Sequence, residues 1–275
     1  IGTLNCRGRI LSVDKPLVMG ILNVTPDSFY SGSMAADLEE YVGRAGQMLA
    51  DGAAIIDIGG QSTRPGSQRI DADEESERVL PVIKAIKNAY PDVFLSIDTY
   101  HHRVAASAVA AGACMVNDIS AGELDPLMIQ TVAGLAVPYI IMHMKGDPGN
   151  MQDLAVYTDL TREVMDYFIA KVDACRKAGI KDIIIDPGFG FAKTIDHNFQ
   201  LLREMDIFRI LDLPVLAGLS RKSTIYKTLG TDPQQALNGT TVMNTIALLN
   251  GASILRVHDV KEAAEAVTLV GKYID

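Results

Sequence analysis

The sequence is poor in cysteine and in aromatic residues. Among 275 residues there are only three cysteines and no tryptophan, and aromatic residues make up 6%. The cysteines, Cys6, Cys114 and Cys175, are far apart, odd in number and without Cys-x-x-Cys spacing. Neither a disulfide framework nor a zinc site is therefore indicated. We expect reduced thiols and a cytoplasmic protein with aliphatic strands and alanine-rich helices.

Long apolar runs are also missing. The longest, residues 132–142, is interrupted by Gly134 and Pro138 and is shorter than the roughly 18 residues that suggest a membrane span. Near the start, Asn5 and Arg7 stand where a signal peptide needs an apolar core. We therefore expect no transmembrane helix, no secretion signal and no membrane partner.

Blocks of positive charge are absent as well. The formal net charge is −9 and no run of Lys and Arg occurs, whereas proteins that bind nucleic acids carry clustered basic surface. We therefore expect no nucleic-acid partner, and any bound phosphate must be held by local cations.

Three common sequence motifs are incomplete. Residues 188–191 lack the third glycine of a dinucleotide-binding motif. Residues 218–223 end like a P-loop but have Arg221 where glycine is needed. No Gly-x-Ser-x-Gly surrounds Ser220, so covalent acyl transfer has little support.

Short apolar runs alternate with helical patterns along the chain. The predicted strands are Leu17–Asn23, Ile55–Gly59, Phe94–Asp98, Met115–Asp118, Tyr139–His143, Ile183–Asp186, Val215–Gly218 and Ile254–His258. Helical spacing covers Leu38–Ala50, Glu74–Asn88, Arg103–Ala111, Asp159–Ala178 and Ala236–Asn250. This alternation predicts parallel β-α-β units. Eight strands favour an α/β fold of the (β/α)₈ TIM-barrel type, for which about 250 residues is typical; periodicity alone leaves an open doubly wound sheet as the alternative.

We expect one domain over residues 1–275. The alternation of Ile10, Leu11 and Val13 predicts that residues 1–16 form a β-hairpin covering the barrel bottom, followed by the barrel at 17–275. Several helical patterns end at a glycine, which predicts left-handed C-caps at Gly52, Gly112, Gly179 and Gly251.

Polar side chains end almost every predicted strand. They are Asn23, Asp57, Asp98, Asn117, Asp118, His143, Asp186, Arg256 and His258. Any one of them alone is equally well explained as a turn former or helix cap. Their recurrence predicts an active site, because the chemistry of these barrels lies at the carboxyl ends of the strands.

Other polar residues are better explained by structure. Asp57 lies between isoleucines and is interpreted as a buried supporting carboxylate. His101 and His102 are adjacent at a predicted helix start, which is poor geometry for a shared metal, so we expect surface or capping roles. The acidic run at residues 71–75 is expected to begin a helix, where negative charge is favoured.

Two long loops follow the first two barrel strands. Residues 25–32 and 61–67 are rich in Thr, Ser, Pro and Gly, which suggests lids over the barrel mouth. Phe29 and Arg64 would bring an aromatic face and a cation to the mouth, or else pack on the barrel rim.

These segments closely resemble the dihydropteroate synthase family of pterin-binding enzymes. The first matching blocks are residues 19–29 (MGILNVTPDSF) and 57–66 (DIGGQSTRPG). Later blocks are 96–99 (SIDT), 116–119 (VNDI), 142–144 (MHM), 186–191 (DPGFGF), 220–223 (SRKS) and 256–260 (RVHDV). Ordered blocks from Leu17 to Val260 make the resemblance highly specific.

The resemblance implies a reaction and its catalytic residues. Members condense (7,8-dihydropterin-6-yl)methyl diphosphate with 4-aminobenzoate, giving dihydropteroate and diphosphate by dissociative substitution. It implies catalytic roles for Asp98, Lys222 and Asn23, a homodimer, and inhibition by sulfonamides, which mimic 4-aminobenzoate.

The resemblance also divides the site into three pockets. The implied pterin-binding residues are Asp98, Asn117, Met142, Asp186 and Lys222. The implied diphosphate pocket comprises Asn23, Thr63, Arg256 and His258, with Mg²⁺ as cofactor and Asn23 as its oxygen ligand. The implied 4-aminobenzoate pocket comprises Phe29, Thr63, Arg64, Pro65, Phe191, Lys222 and Ser223.

The sequence departs from the family pattern in two places. Tyr30 to Ser33 replace a common Ser-Asp-Gly-Gly, and Gln61 replaces a common glutamate. The change at Ser31 removes the carboxylate that would pair with Arg64 and leaves Asp27 as the nearby acidic residue.

Two rival functions are weaker. A pterin-binding methyltransferase would share the barrel and the pterin residues, but it does not need residues 63–66 and 220–222. A catalytically inactive pterin-binding barrel is disfavoured by the full set of polar positions. Pyrophosphate release from the two substrates would decide between them.

Overall fold

The computed structural model of the chain describes residues 2–24, 34–61 and 69–274. An antiparallel hairpin comprises β1 (Thr3–Cys6) and β2 (Arg9–Ser12). The parallel strands are β3 (Leu17–Asn23), β4 (Ile55–Gly59), β5 (Phe94–Asp98), β6 (Met115–Asp118), β7 (Tyr139–Met142), β8 (Ile183–Asp186), β9 (Leu216–Ala217) and β10 (Ile254–Val257).

Helices separate these parallel strands. They are α1 (Met34–Ala50), α2 (Ala72–Ala89), α3 (His102–Ala111), α4 (Met128–Leu135), α5 (Leu160–Ala178), α6 (Ile195–Arg203), α7 (Ser223–Thr228), α8 (Leu237–Leu249) and α9 (Val260–Ile274). The glycines predicted to end helices, Gly52, Gly112, Gly179 and Gly251, all have positive φ. Gly179 is the predicted left-handed C-cap of α5 and Gly112 is the C-cap of α3, whereas α8 has Asn250 as its C-cap, one residue before Gly251. None of the helices in the described ranges is both long and apolar enough to cross a membrane.

The eight parallel strands form a nearly closed barrel. Their order is β8-β7-β6-β5-β4-β3-β10-β9, and the two outer strands meet at one isolated parallel bridge between Ile185 and Val215. There, Ile185 N donates to Pro214 O at 3.0 Å. The predicted (β/α)₈ barrel is confirmed, and the open doubly wound sheet is wrong because its edges would not meet.

Three strands are shorter than predicted, each for its own reason. His143 N, just after β7, donates to Asp186 O at 3.0 Å, and the chain then leaves the sheet. His258 N donates to Ser220 Oγ instead of a neighbouring strand. Strand β9 has only two residues because just one bridge joins its β8 side.

Side-chain alternation divides the barrel into an outer and an inner face. On β4, Ile56 and Ile58 pack in the large core between barrel and helices, whereas Ile55 belongs to an inner cluster. That cluster fills the bottom of the barrel and comprises Met19, Ile55, Met115, Ile140, Ile184, Leu216 and Ile254. Two residues further along, the same inner face carries polar groups.

The hairpin covers the barrel bottom, as predicted. Leu4, Cys6 and Leu11 are buried against the inner apolar cluster, and Val13 packs at its edge. Ile10 alternates to the other face and is 63% exposed. The assignment of residues 1–275 to one domain stays a prediction.

Truncating Leu4 should destabilise the fold. Leu4→Ala removes a side chain that is 2% exposed, and buried leucine-to-alanine changes cost about 2–5 kcal/mol. Ile10→Ala, on the exposed face of the same hairpin, should change the free energy of unfolding by less than about 0.5 kcal/mol. Urea unfolding followed by circular dichroism measures both; equal effects would mean that the hairpin does not seal the barrel.

Candidate active site

Strand register brings four inward positions into one row at the carboxyl end. Asn23 pairs with Gly59, Gly59 with Asp98, and Asp98 with Asn117. A methyl group at Gly59 would lie 3.6 Å from Asp98 Oδ2 and 3.7 Å from Asn23 Oδ1. The glycine therefore leaves a small space that is flanked by a carboxylate and an amide oxygen.

Arg256 links the strands across the barrel interior. Its Nε donates to Asp57 Oδ2 at 2.7 Å and its Nη2 donates to Asp98 Oδ2 at 2.8 Å. Asn117 Nδ2 donates to the same Asp57 oxygen at 2.9 Å. Burial opposes the charge of Arg256, but Asp57 and Asp98 outweigh it and hold its pKa above the ordinary value.

Asp98 is poised between its charged and neutral forms. Burial raises the pKa of Asp98 to about 7, against the opposing effect of Arg256 and with further repulsion from Asp57. Its ionised form therefore becomes more populated as pH rises through neutrality. A carboxylate held in this way responds strongly to any positive charge that a ligand develops beside it.

Asp186 and Lys222 lie on the other side of this polar end of the barrel, which we call the floor of the site. Asp186 ends β8 and accepts from Gly188 N at 2.8 Å. A methyl group at Gly218 would lie 3.6 Å from Lys222 Nζ and 4.0 Å from Asp186 Oδ2, so both groups border the same glycine. Burial lowers the pKa of Lys222 to about 8, although Asp186 opposes the shift.

The loop after β8 surrounds the Lys222 side chain. Lys222 Nζ donates to Phe189 O and lies 4.8 Å from the centroid of the Phe191 ring, within the range of a cation–π contact. Gly190 lets the chain pass close to the lysine, because a methyl group there would lie 3.2 Å from Lys222 Cδ. Met142 packs in the same buried cluster as Phe191.

A second arginine fixes the loop that precedes Lys222. Arg221 has a positive φ of 53° and makes a bidentate pair with Asp259, both bonds being 2.8 Å. It also donates to Pro233 O and Gln234 O, at 2.8 and 2.9 Å. The next residues, Lys222 and Ser223, therefore begin α7 from a firmly held turn.

The predicted site residues that lie in the described ranges come together at one end of the barrel. They are Asn23, Asp98, Asn117, Met142, Asp186, Phe191, Lys222, Ser223, Arg256 and His258. His258 Nδ1 lies 2.9 Å from Ser220 Oγ. Phe29, Thr63, Arg64 and Pro65 lie outside the described residues, and the loops that carry them are likewise outside.

The polar residues that were interpreted as structural lie at different distances from the centre of the site. Asp57 is closer to the centre than its supporting role suggested, since it joins Arg256 to Asn117. Asp118 points to the outer face, where its carboxylate accepts from Tyr139 Oη at 2.7 Å. His102 pairs with Asp125. Asp71 accepts from Glu74 N as the N-cap of α2.

Sequence reasoning missed two polar residues, Lys193 and Asn198. Lys193 is fully enclosed beneath the loop after β8. Asn198 on α6 accepts from Gly190 N at 2.8 Å and donates to Thr224 Oγ1 at 2.9 Å, so it joins this loop to α7. Neither ends a strand, so the strand-end pattern could not find them; a polar residue on the apolar face of α6 was the available signal for Asn198.

Gln61, one of the departures from the family pattern, makes a neutral contact. Its Nε2 donates to Tyr100 Oη at 2.6 Å, and its Oε1 accepts from Ile70 N at 3.4 Å. The amide thus joins the two ends of segment 62–68 to the chain after β5. A glutamate could accept but not donate in the ionised state.

The polar side chains at this end of the barrel could bind a metal ion that arrives with a substrate more readily than one held by protein ligands alone. The described residues contain no group of three or more His, Cys, Asp or Glu placed to hold a metal. Asn23 instead offers one amide oxygen beside Asp98. Mg²⁺ commonly binds few protein oxygens and completes its shell with water and substrate phosphates, so these residues fit Mg²⁺ arriving with a diphosphate.

Comparison with known proteins identifies the family. Residues 19–258 match the family described as pterin binding enzyme. The dihydropteroate synthase of Escherichia coli is 42% identical over 269 residues, which are 97% of this chain and 95% of that protein. The dihydropteroate synthase of Yersinia pestis, solved with a sulfonamide drug complex, superposes with a TM-score of 0.93 at 41% identity, covering 99% of both chains.

A further structure adds a ligand. The dihydropteroate synthase of Xanthomonas albilineans with 4-aminobenzoic acid has a TM-score of 0.91 at 41% identity, covering 99% of this chain and 98% of that one. With a family match over most of the chain and relatives above 40% identity along almost its whole length, the chain belongs to the dihydropteroate synthase family of pterin-binding enzymes.

Proposed function

We propose that this chain condenses (7,8-dihydropterin-6-yl)methyl diphosphate with 4-aminobenzoate, forming 7,8-dihydropteroate and releasing diphosphate. The observation that carries the proposal is the set of inward polar groups at one end of the barrel. Arg256 binds Asp57 and Asp98, Asn117 binds the same Asp57, and Asp186 and Lys222 border Gly218. The relatives described above support the same reaction.

The pterin ring would bind on the floor of the barrel. An aminopyrimidinone presents adjacent N–H donors and ring acceptors, and Asp98, Asn117 and Asp186 offer carboxylate and amide partners for them. Lys222 would reach the ring carbonyl and N5, while Met142 supplies an apolar wall. Burial raises the pKa of Asp186, with Lys222 opposing the shift, so a ligand N–H donor would favour the ionised form.

The diphosphate would bind between the first and last barrel strands. Asn23 ends β3, Arg256 and His258 lie on and just after β10, and these two strands are paired in the sheet. Thr63 would join them from the second loop. We propose Mg²⁺ as cofactor, with Asn23 as a ligand; when bound with the diphosphate, it would neutralise part of the leaving group's charge.

The reaction would proceed by dissociative substitution. The C–O bond between the pterin methylene and the diphosphate breaks, and its electron pair leaves with the diphosphate. The ionised carboxylate of Asp98 stabilises the resulting pterin-methyl cation through its charge. The neutral aniline nitrogen then forms the new C–N bond and loses a proton, so no enzyme nucleophile is required.

The 4-aminobenzoate would occupy the mouth of the barrel. Phe191 and Lys222 lie on its described side, and Ser223 begins α7, whose backbone N–H groups favour the carboxylate. Phe29, Thr63, Arg64 and Pro65 would complete the pocket from the two loops. Because the first loop follows Asn23 and the second carries Thr63, both of which would contact the diphosphate, we propose that the pterin substrate binds first.

The proposed function predicts pyrophosphate release that depends on three components. Purified protein should release pyrophosphate and form dihydropteroate only with pterin diphosphate, 4-aminobenzoate and Mg²⁺ together, as measured by a coupled pyrophosphate assay and chromatography of the product. Methyl transfer from methyltetrahydrofolate would identify the methyltransferase rival. Pterin binding without turnover would identify an inactive barrel, and either result would overturn the proposal.

A second arm of the same assay tests the mouth of the barrel. Sulfonamides are expected to inhibit competitively with 4-aminobenzoate, because both present an aniline and an acidic group to the same pocket. Inhibition that does not weaken at high 4-aminobenzoate concentration would contradict a shared pocket. Tight binding of 4-aminobenzoate to the protein alone, measured by calorimetry, would contradict the proposed binding order.

Lys222→Ala should lower kcat/KM by about 100-fold or more, because loss of one preorganised donor commonly costs that much and this side chain borders both substrates. Lys227→Ala, in the last turn of the same helix, should retain wild-type activity. Since burial lowers the pKa of Lys222 to about 8, the wild-type kcat/KM should fall as pH rises through about 8. Wild-type kinetics in Lys222→Ala would remove the residue from the site.

We also propose that the protein is a homodimer formed through α8. Val242, Ile246 and Leu249 are exposed on this helix at spacings of four and three residues, which places them on one face. A contiguous apolar face of this kind commonly marks a contact between protein chains.

A cytoplasmic location is likewise proposed, supported by Cys6, Cys114 and Cys175 being buried and free of disulfides.

Ile246→Glu combined with Val242→Glu should convert the dimer to a monomer in analytical ultracentrifugation, because two carboxylates would be buried without partners. Ile169→Glu is the matched control, since Ile169 is exposed on α5, and it should leave the dimer intact. A wild-type protein that sediments as a monomer at micromolar concentration would contradict the proposal.

A further inference from the structure

Lys193 is a buried cation at the edge of the site that the reaction described above does not use. The residue is 3% exposed and follows the loop after β8. Burial lowers the pKa of Lys193 to about 7, although Asp186 opposes the shift. Keeping a charge in such a place costs free energy, and an apolar side chain of similar length would avoid that cost.

The surroundings of Lys193 are built for an ammonium group. Its Nζ donates to Gly188 O and Phe191 O, both at 3.0 Å, and lies 3.0 Å from His143 Nδ1 and 3.4 Å from His143 O. Burial, together with Lys193 and Lys145, lowers the pKa of His143 to about 2, so the imidazole is neutral. Its Nδ1 then accepts, and an ammonium group with three N–H donors matches these acceptors better than a neutral amine does.

These contacts join two neighbouring strand ends. His143 directly follows β7, whereas Gly188 and Phe191 belong to the loop after β8. The loop approaches the end of β7 very closely, since a methyl group at Gly188 would lie 2.0 Å from His143 O. Gly188 also has a φ of 75°, in the left-handed region that glycine adopts without strain. Lys193 therefore closes a tight turn by binding the carbonyl oxygens of its first and last residues, Gly188 and Phe191.

The turn that Lys193 closes is the one that holds Lys222. Between Gly188 and Phe191 lies Phe189, whose carbonyl oxygen accepts from Lys222 Nζ. The Phe191 ring lies 4.8 Å from the same Nζ, and the Phe191 carbonyl oxygen is bound by Lys193. A shift of this turn would thus move the oxygen and the ring that position Lys222.

We propose that Lys193 is a positioning residue for the second substrate: its ammonium group fixes the 188–191 turn against β7 and so holds Phe191 and Lys222 in the 4-aminobenzoate pocket. The inference rests on the proposed function and extends it to a residue that touches neither substrate. Displacement of a binding group by about 1 Å can cost up to about 100-fold in rate.

Steady-state kinetics of Lys193→Met test this role. We expect the KM for 4-aminobenzoate to rise about 10-fold and the KM for the pterin diphosphate to rise less, because Phe191 borders the second substrate alone, whereas the pterin also keeps Asp98 and Asn117, which are held by other contacts. The matched control is Lys87→Met. Lys87 Nζ also donates to backbone carbonyls, one of them Val93 O at 3.1 Å, but it does so before β5 at the opposite end of the barrel, so both KM values should stay unchanged.

A double-mutant cycle separates positioning from a general loss of stability. If Lys193 acts through Phe191, then Lys193→Met should raise the KM for 4-aminobenzoate much less in a Phe191→Ala background than in the wild type. A purely structural lysine would give effects that add. Additive effects, or a KM for 4-aminobenzoate within about twofold of wild type in Lys193→Met, would overturn the proposal.

A milder variant covers the case in which Lys193→Met does not fold. Tyr157 Oη donates to Ala192 O at 2.8 Å, within the same loop, so Tyr157→Phe should raise the KM for 4-aminobenzoate about threefold and the KM for the pterin diphosphate by less. An unchanged KM in this variant would count against the loop as the positioning element. Failure of the proposed function appears earlier and separately, as absence of pyrophosphate release by the wild-type protein.

Discussion

The arrangement of the site depends on one guanidinium group inside the barrel. Arg256 reaches from the last strand to Asp57 on β4 and Asp98 on β5, and Asp57 passes the connection to Asn117 on β6. Removing one partner from such a buried pair leaves an uncompensated charge and commonly costs about 3–5 kcal/mol. Asp57 and Asp98 can therefore lie close together because Arg256 is between them.

Much of this arrangement followed from the alternation of residues along strands. Ile55, Asp57 and Gly59 share one face of β4 because side chains alternate across a strand, and eight such strands must close at a common polar end. The same rule would have separated Asn117 from its neighbour Asp118, which points outward to Tyr139. Recurrence of polar strand ends alone could not make that distinction, because it ignores which face each residue occupies.

Other features depend on contacts that no local pattern specifies. The family resemblance placed Arg256 beside the diphosphate. Its hydrogen bonds to Asp57 and Asp98 depend on distances across the barrel, which the sequence pattern does not give. Lys193 and Asn198 act on a loop from outside the strand ends, so periodicity gives no signal for the lysine. The length of β9 depends on how the barrel closes. The strand pairs with β10 on one side, but a single bridge on the other side supplies few hydrogen bonds that would stabilise a longer strand.

Arg221 and Lys193 show how the protein separates binding from support. Each holds a turn from behind, Arg221 through Asp259 and Lys193 through the carbonyls of the 188–191 turn. Lys222 lies between these two turns and presents its ammonium group to the site. The flexible side chain of Lys222 is thus held at its base by one cation and along its length by a loop that another cation fixes.

The single bridge between Ile185 and Val215 makes the barrel wall thinnest between β8 and β9. Local opening of a protein follows the path that breaks the fewest contacts, so this seam is where the cylinder can part most readily. Asp186 ends β8 on one side of this seam, and Lys222 follows β9 on the other side. A pterin that contacts both side chains would link the two strands non-covalently. Local opening between β8 and β9 would then be rarer in the ligand-bound barrel than in the empty one.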